Sequence, residues 1–309
     1  MIITLTANPA LDQTIVVDRL EIGDVNRFHE SYLDPAGKGI NVSRMVHRLG
    51  WPTIAFGFLA GEIGALAEKA LNDEGVQHHF VPVPGQTRIN INIVDRERDS
   101  VTSLYGPGPA VDAEDLEALD GLLRFWLQAG RVLVLAGSLP IGVRADLYAD
   151  YIRAAREKGL KTVLDADGEP FRLGLAERPS LIKPNMEEAE RLLGRSLPDL
   201  AAVVQGARDL VQRGIETVVI SMGAAGAVCA QQDRVWRALP PAVEKRSTVG
   251  SGDSLVAGLA LALARDQSIV EGLRLGTAAG AATAMTTGTS LGTAAEVAAL
   301  APQVVIEEL

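Results

Sequence analysis

Arg131-Val132-Leu133-Val134-Leu135-Ala136, or RVLVLA, runs straight into Gly137-Ser138-Leu139-Pro140. Unbroken apolar character without alternation describes a strand buried on both faces, stopped by glycine and proline. TVVIS at 217–221 repeats the pattern. Around these runs the period changes. Leu116, Leu119, Leu123 and Trp126 recur at helical spacing, and 144–158, 187–193 and 201–213 also read as helices. Residues 161–165 and 180–183 read as strands. Buried strands alternating with helices predict an α/β fold with a mostly parallel sheet covered on both faces. Ile2–Thr6 adds a strand that Asn8-Pro9 breaks. Val42, Met45, Val46 and Leu49 mark a helix over 39–49, ended by Gly50 and Pro52. Residues 251–301 read as Ala/Gly-rich helix without strands.

Two regions differ. Residues 12–35 are polar, with short strand-like runs at 14–17 and 28–33. RININIVD at 88–95 alternates weakly, and 100–105 follows a charged turn. These predict strands with one wet face, gathered in a small separate sheet from about 12–35 and 86–106. The rest of 1–309 forms one domain around it.

At 309 residues and 47% apolar, the chain can bury a sizeable core and is not mainly disordered. A net charge of −10 argues against a nucleic-acid or membrane-surface binder, which needs a basic face. Cys229 stands alone, so neither an intrachain disulfide nor a thiolate cluster can form, as suits a reducing cytoplasm. MIITLTANPA lacks a signal-peptide pattern, and the apolar run 255–264 is half a membrane span. The four histidines lack zinc-ligand spacing, no G-x-S-x-G occurs, and Gly223–Gly226 lacks the rest of a dinucleotide fingerprint.

Sites in such a fold gather at the carboxyl ends of the strands. There lie 8–12, 137–140, Asp165, 183–185 and 221–223, all polar, charged or glycine-bearing. Thr248-Val249-Gly250-Ser251-Gly252-Asp253-Ser254 precedes the apolar run 255–264. Two glycines at a helix start make an anion cradle of inward N–H groups. Asp253 would compete with a bound phosphate, unless it takes a proton from a hydroxyl while the cradle holds a moving phosphoryl group. The plainer reading makes it a helix N-cap. Ala36-Gly37-Lys38-Gly39-Ile40-Asn41 offers a second anion-binding helix start, though it is no Walker loop. In Lys183-Pro184-Asn185-Met186-Glu187-Glu188, Asn185 and Glu188 either form a capping box or hold a hydrated Mg²⁺. Asp12 either binds sugar hydroxyls or ends a turn, and Arg27 and Arg88 either meet an anion or are solvated.

AGKGINVSR at 36–44 and STVGSGDS at 247–254 resemble the two signatures of the ribokinase-like (PfkB) carbohydrate kinases. NPALD at 8–12, GSLP at 137–140, KPNMEE at 183–188 and SMGAAG at 221–226 follow the family's order, so the resemblance spans the chain. Ser251 stands where alanine is commoner. GDVNR at 23–27 and GQTRIN at 85–90 are similar to the phosphosugar branch, most of all to its fructose-1-phosphate kinases.

The resemblance implies a three-layer ribokinase-like sandwich with a β-sheet lid that often pairs with another subunit's lid. It implies ATP and Mg²⁺, with fructose 1-phosphate converted to fructose 1,6-bisphosphate. Tagatose 6-phosphate and fructose 6-phosphate are the alternatives within the class. Asp253 would be the base, with Gly250, Ser251 and Gly252 as anion hole. Asp12, Gly37 and Asn41 would hold the sugar. Arg27, Lys38 and Arg88 would neutralise its phosphate, near Asn90 and Ser138. Lys183, Asn185, Ser221, Gly223, Gly226 and Thr248 would line the nucleotide site, and Asn185 and Glu188 would organise Mg²⁺. Outside the class stand a catalytically silent sugar- or nucleotide-sensing module, which an intact Asp253 argues against, and a nicotinamide-dependent dehydrogenase.

Overall fold

The computed structural model describes all of residues 1–309. From the N-terminus the chain forms β1 (Ile2–Thr6), β2 (Ala10–Val17), β3 (Glu30–Ala36), α1 (Lys38–Arg48), β4 (Thr53–Leu59), α2 (Gly61–Asp73) and β5 (His78–Pro82). Next come β6 (Arg88–Asp95), β7 (Ser100–Tyr105), α3 (Ala113–Leu127), β8 (Val132–Ala136), α4 (Leu147–Glu157), β9 (Lys161–Asp165), α5 (Gly168–Ala176) and β10 (Leu181–Ile182). The remainder is α6 (Met186–Leu193), α7 (Leu200–Gln212), β11 (Thr217–Ser221), β12 (Ala227–Gln231), β13 (Arg234–Leu239), α8 (Ser251–Ala264), α9 (Ile269–Ala284), α10 (Ala294–Leu300) and β14 (Val305–Glu308).

The main sheet has the order β14-β13-β12-β11-β10-β9-β8-β1-β4-β5. From β11 to β5 every pairing is parallel, whereas β12, β13 and β14 add on antiparallel. The strands alternate their burial between two layers, as pleating requires. Leu133 and Leu135 belong to one apolar layer with Leu119, Tyr148 and Leu210. Val132, Val134 and Ala136 pack with Met45, Val256 and Leu259 on the other face. Strand succession runs one way from β1 through β4 to β5 and the other way from β8 to β11. The switch point therefore lies between β1 and β8, where this architecture opens a crevice.

Helices α8 and α9 explain the Ala/Gly-rich sequence. At Gly258 an added Cβ would stand 2.3 Å from Gly276 Cα, so the helix backbones touch and no side chain fits. No helix is long and apolar enough to cross a membrane.

The second sheet, β3-β2-β6-β7, is built from the two polar regions. Its wet face is turned inward, against expectation. In β6, Asn90 and Asn92 are buried, while Ile89, Ile91 and Ile93 are more open. Buried Asp12 and Thr14 continue the polar face on the adjoining strand. Leu33, Gln13, Ile91 and Leu104 make one row across the opposite face, with Leu33 and Leu104 exposed.

Boundaries shift where turn chemistry competes with periodicity. The run expected at 14–17 starts at Ala10, because Pro9 fixes only its own φ and restrains the residue before it. The run expected at 28–33 slides to 30–36. The helix expected from 144 starts at Leu147 after a turn, and only two residues of 180–183 pair as strand.

Candidate active site

Two helices start at the switch point. Helix α1 follows Gly37, whose φ of 128° favours glycine and where an added Cβ would meet Thr6 Cγ2 at 2.6 Å. Ile40 N donates to Thr6 Oγ1 at 2.9 Å, which ties the helix start to the end of β1. Helix α8 follows Gly250, in the left-handed region at φ 79° with no side-chain cap. Its first-turn N–H groups thus face no capping side chain, as an anion site requires.

Asp253 is the third residue of α8, so it is not the N-cap; Gly250 holds that position. The carboxylate is buried and accepts a hydrogen bond at 2.8 Å from Asn41 Nδ2. Burial pushes its pKa up to about 6, with help from the Asp165 charge, against the lowering effects of Asn41, Lys38 and Lys183. Such a group is ionised at neutral pH yet basic enough to accept a proton.

Asp165, at the end of β9, organises two cations. Lys38 Nζ lies 2.9 Å from Oδ1, and Lys183 Nζ lies 3.5 Å from Oδ2. Burial alone would raise the Asp165 pKa, but Lys183 and Lys38 outweigh it and hold the acid below its usual range. Burial would likewise lower the Lys38 pKa, yet Asp165 and Glu188 overcome it and drive it up. Glu188 Oε1 is 3.9 Å from Lys38 Nζ. The ion partners of Lys38 therefore belong to the Asp253 end of the site.

The small sheet supplies the facing wall. Asp12 accepts from Asn90 Nδ2 at 2.8 Å. Burial raises the Asp12 pKa to about 6, opposed by Asn90 and assisted by Asp34, with smaller effects from Arg88 and Asp253. The guanidinium of Arg88 donates to the carbonyls of Asn8 at 2.9 Å, Gly106 at 3.2 Å and Pro9 at 3.4 Å. Asn8 Nδ2 donates to Pro107 O at 3.0 Å and Ser138 Oγ at 3.4 Å. Arg88, Asp12, Asn90 and Ser138 thus come together. Arg27 does not join them: it is exposed between β2 and β3.

Beyond the α8 start opens a cleft of about 740 Å³, lined by Asn185, Ser221, Gly223, Gly226, Thr248, Ser251 and Gly252 among others. At Gly226, φ is 91° and an added Cβ would stand 1.9 Å from Ala238 O. Asn185 and Glu188 form a full capping box for α6: Asn185 Oδ1 accepts from Glu188 N at 2.9 Å, and Glu188 Oε2 accepts from Asn185 N at 2.8 Å. No cluster of three or more His, Cys, Asp or Glu side chains is placed to hold a metal. The cleft also takes in Lys245 and the buried Thr277, whose Oγ1 has no partner. Neither lies in one of the sequence motifs. A threonine within an Ala/Gly-rich helix gives no local sign of facing a cavity.

A buried carboxylate, an uncapped helix start and two ammonium groups suit phosphoryl transfer to a hydroxyl, which depends on positioning and charge neutralisation. Comparison with known proteins agrees. The model of the pfkB family carbohydrate kinases matches residues 6–295. A 1-phosphofructokinase of Rhodobacter capsulatus is 40% identical, over 90% of this chain and 88% of its own length. One from Bacillus subtilis is 34% identical over the whole of both chains. The crystal structure of Escherichia coli phosphofructokinase-2 in complex with substrates and products superposes with a TM-score of 0.91 at 30% identity, over 98% of each chain. The family's ribokinase-like architecture accounts for the two sheets, and the chain belongs to the pfkB family of carbohydrate kinases.

Proposed function

We propose that the protein transfers the γ-phosphoryl group of ATP to fructose 1-phosphate, giving fructose 1,6-bisphosphate and ADP. The observation that carries this reading is Asp253, buried, bonded to Asn41 and placed in the first turn of α8 behind a glycine cap. Relatives called 1-phosphofructokinase, 34–40% identical over most of the chain, support the choice of sugar.

Asp253 takes the proton of the acceptor hydroxyl as the hydroxyl oxygen attacks the γ-phosphorus; the bond from that phosphorus to the bridging oxygen breaks, and its electron pair leaves on that oxygen with ADP. Gly250 and Gly252 present backbone N–H groups to the migrating group, with Ser251, whose N–H donates to Thr248 O at 3.3 Å, between them, and Lys38 and Lys183 offset its charge. Lys38 takes this role in place of the sugar-phosphate contact expected from sequence, because its partners are Asp165 and Glu188. Arg88 is the cation for the phosphate already on the sugar, with Asp12 and Asn90 toward its hydroxyls. The nucleotide takes the cleft past Thr248, Ser221, Gly223 and Gly226.

Magnesium, when bound with ATP, would offset phosphate charge, with Asn185 and Glu188 as the residues that would help to hold it. The residues present fit a largely hydrated ion and not a protein cage. Asn185 Oδ1 and Glu188 Oε2 are engaged in the capping box, so Glu188 Oε1, 3.9 Å from Lys38 Nζ, is the one carboxylate oxygen of the pair outside it.

The small sheet serves as a lid that excludes water, the competing acceptor. The exposed row around Leu33 and Leu104 meets the same row of a second copy. A cytoplasmic setting keeps Cys229 reduced and supplies ATP.

The test is kcat/KM for fructose 1-phosphate, fructose 6-phosphate and tagatose 6-phosphate, by ADP release under one set of conditions. Fructose 1-phosphate should lead, and added NADH should show no absorbance change. A lead for an unphosphorylated sugar would overturn the reading.

A further inference from the structure

Arg44, on α1, is the largest fully buried side chain, at 1% exposed. A buried guanidinium is tolerated only where its donors and charge are met. Nε and Nη2 grip the carboxylate of Glu74, just past α2, at 2.6–3.0 Å. Nη1 donates to the Pro35 carbonyl at 3.0 Å and to Asn41 Oδ1 at 3.3 Å. Asp34 Oδ1 lies 3.8 Å away. Arg44 is thus clamped in place, with one N–H aimed at Asn41.

Asn41 lies between a donor and an acceptor. Arg44 gives a proton to its oxygen, and its Nδ2 gives one to Asp253 at 2.8 Å. Turned over, the amide would set oxygen against carboxylate and NH₂ against guanidinium, so one orientation alone satisfies both neighbours. We propose that Arg44 is a positioning residue: by fixing the Asn41 amide, it holds the Asp253 carboxylate where the acceptor hydroxyl must meet it. This rests on the reading of Asp253 as the base. Arg44 itself bonds to none of the groups that would react.

Asp253 is faced by Asn41 and Lys38 from the start of α1, Asp165 from the end of β9, Lys183 beyond β10 and, farther off, Asp12 from β2. Asn41 supplies its side-chain hydrogen bond, and that bond favours the ionised form. Loss of the oriented N–H should therefore make the carboxylate hold its proton to higher pH.

The experiment compares the full chain with Arg44→Lys, which keeps charge without the fork, and with Arg44→Met/Glu74→Met, which removes the pair together. The second variant covers a failure of the first to fold. With ATP, Mg²⁺ and fructose 1-phosphate, kcat should fall on the order of 10- to 100-fold and its acid limb should move to higher pH, with KM for ATP within about twofold. In an Asn41→Ala background, Arg44→Lys should cost nothing further, because it acts through that amide. Fully additive losses, or an unmoved pH profile with only a lower melting temperature, would overturn the proposal. A second readout needs no turnover. In ¹³C-aspartate-labelled protein, the Asp253 signal, assigned with Asp253→Asn, should titrate at higher pH in Arg44→Lys, and an unmoved titration would refute the role. Should the parent phosphorylate none of the sugar phosphates, the proposed function fails while this titration still decides Arg44.

Discussion

Asp253 has a pKa raised from 3.8 to about 6, and the shift has a sign for stability as well as for catalysis. The folded chain binds this proton more tightly than the unfolded chain does. The favourable contribution is complete below about pH 4 and is lost as pH rises through about 6; above that, the buried charge opposes folding. Asp253→Asn should therefore raise the stability at pH 8, by up to about 3 kcal/mol, and the melting temperature with it, with a smaller gain at pH 5. Thermal melts at the two pH values check this, and an equal effect at both would contradict it. Asp165 behaves oppositely, since its pKa is lowered. Its stabilisation is present above the unfolded value and lost as pH falls. Asp165→Asn should cost about 3–5 kcal/mol in chemical denaturation, because it strands the cations of Lys38 and Lys183. Legibility differed between such residues. Asp253, Asn41 and Lys183 sit in motifs and were marked by them. Arg44 closes the same AGKGINVSR stretch as Asn41, yet its burial was not legible, because nothing local tells a buried arginine from a solvated one.

Among elements, the parallel strands were readable because burial on both faces removes polar alternation, as in 132–136 and 217–221. Strands β4, β5, β13 and β14 were not resolved as separate strands. Strand β14 is the sheet edge, paired only with β13, and is mostly exposed, so it carries little pattern. Strand β6 shows a deeper ambiguity: alternation reveals two faces but not which one the fold turns inward. Asparagines fill its buried face because that face looks into a polar site. Helix α8 owes its place to contact between backbones. Gly258→Ala would drive a methyl into Gly276 and should cost about 1–3 kcal/mol. Because the same helix carries Gly250 to Asp253, kcat should fall with stability. Melting and steady-state kinetics on one sample test the link, and an unchanged kcat at lower stability would break it.

At the scale of the molecule, two sheets meet over one crevice, with Asp12 and Arg88 on one side and Asp253, Lys38 and Lys183 on the other. The outer row of the small sheet exposes leucines where a lone sheet would carry polar residues. If a second copy covers that row, Leu33→Glu/Leu104→Glu should sediment as a monomer while the parent sediments as a larger species. Equal sedimentation would remove the dimer from the account. In the proposed reading a single carboxylate, Asp253, activates the acceptor. The most direct measurement is kcat of Asp253→Asn with ATP and fructose 1-phosphate at pH 8, on protein shown to be folded by circular dichroism. A loss of roughly 10²- to 10⁴-fold with the acid limb abolished is expected; turnover equal to the parent's would rule Asp253 out as the base.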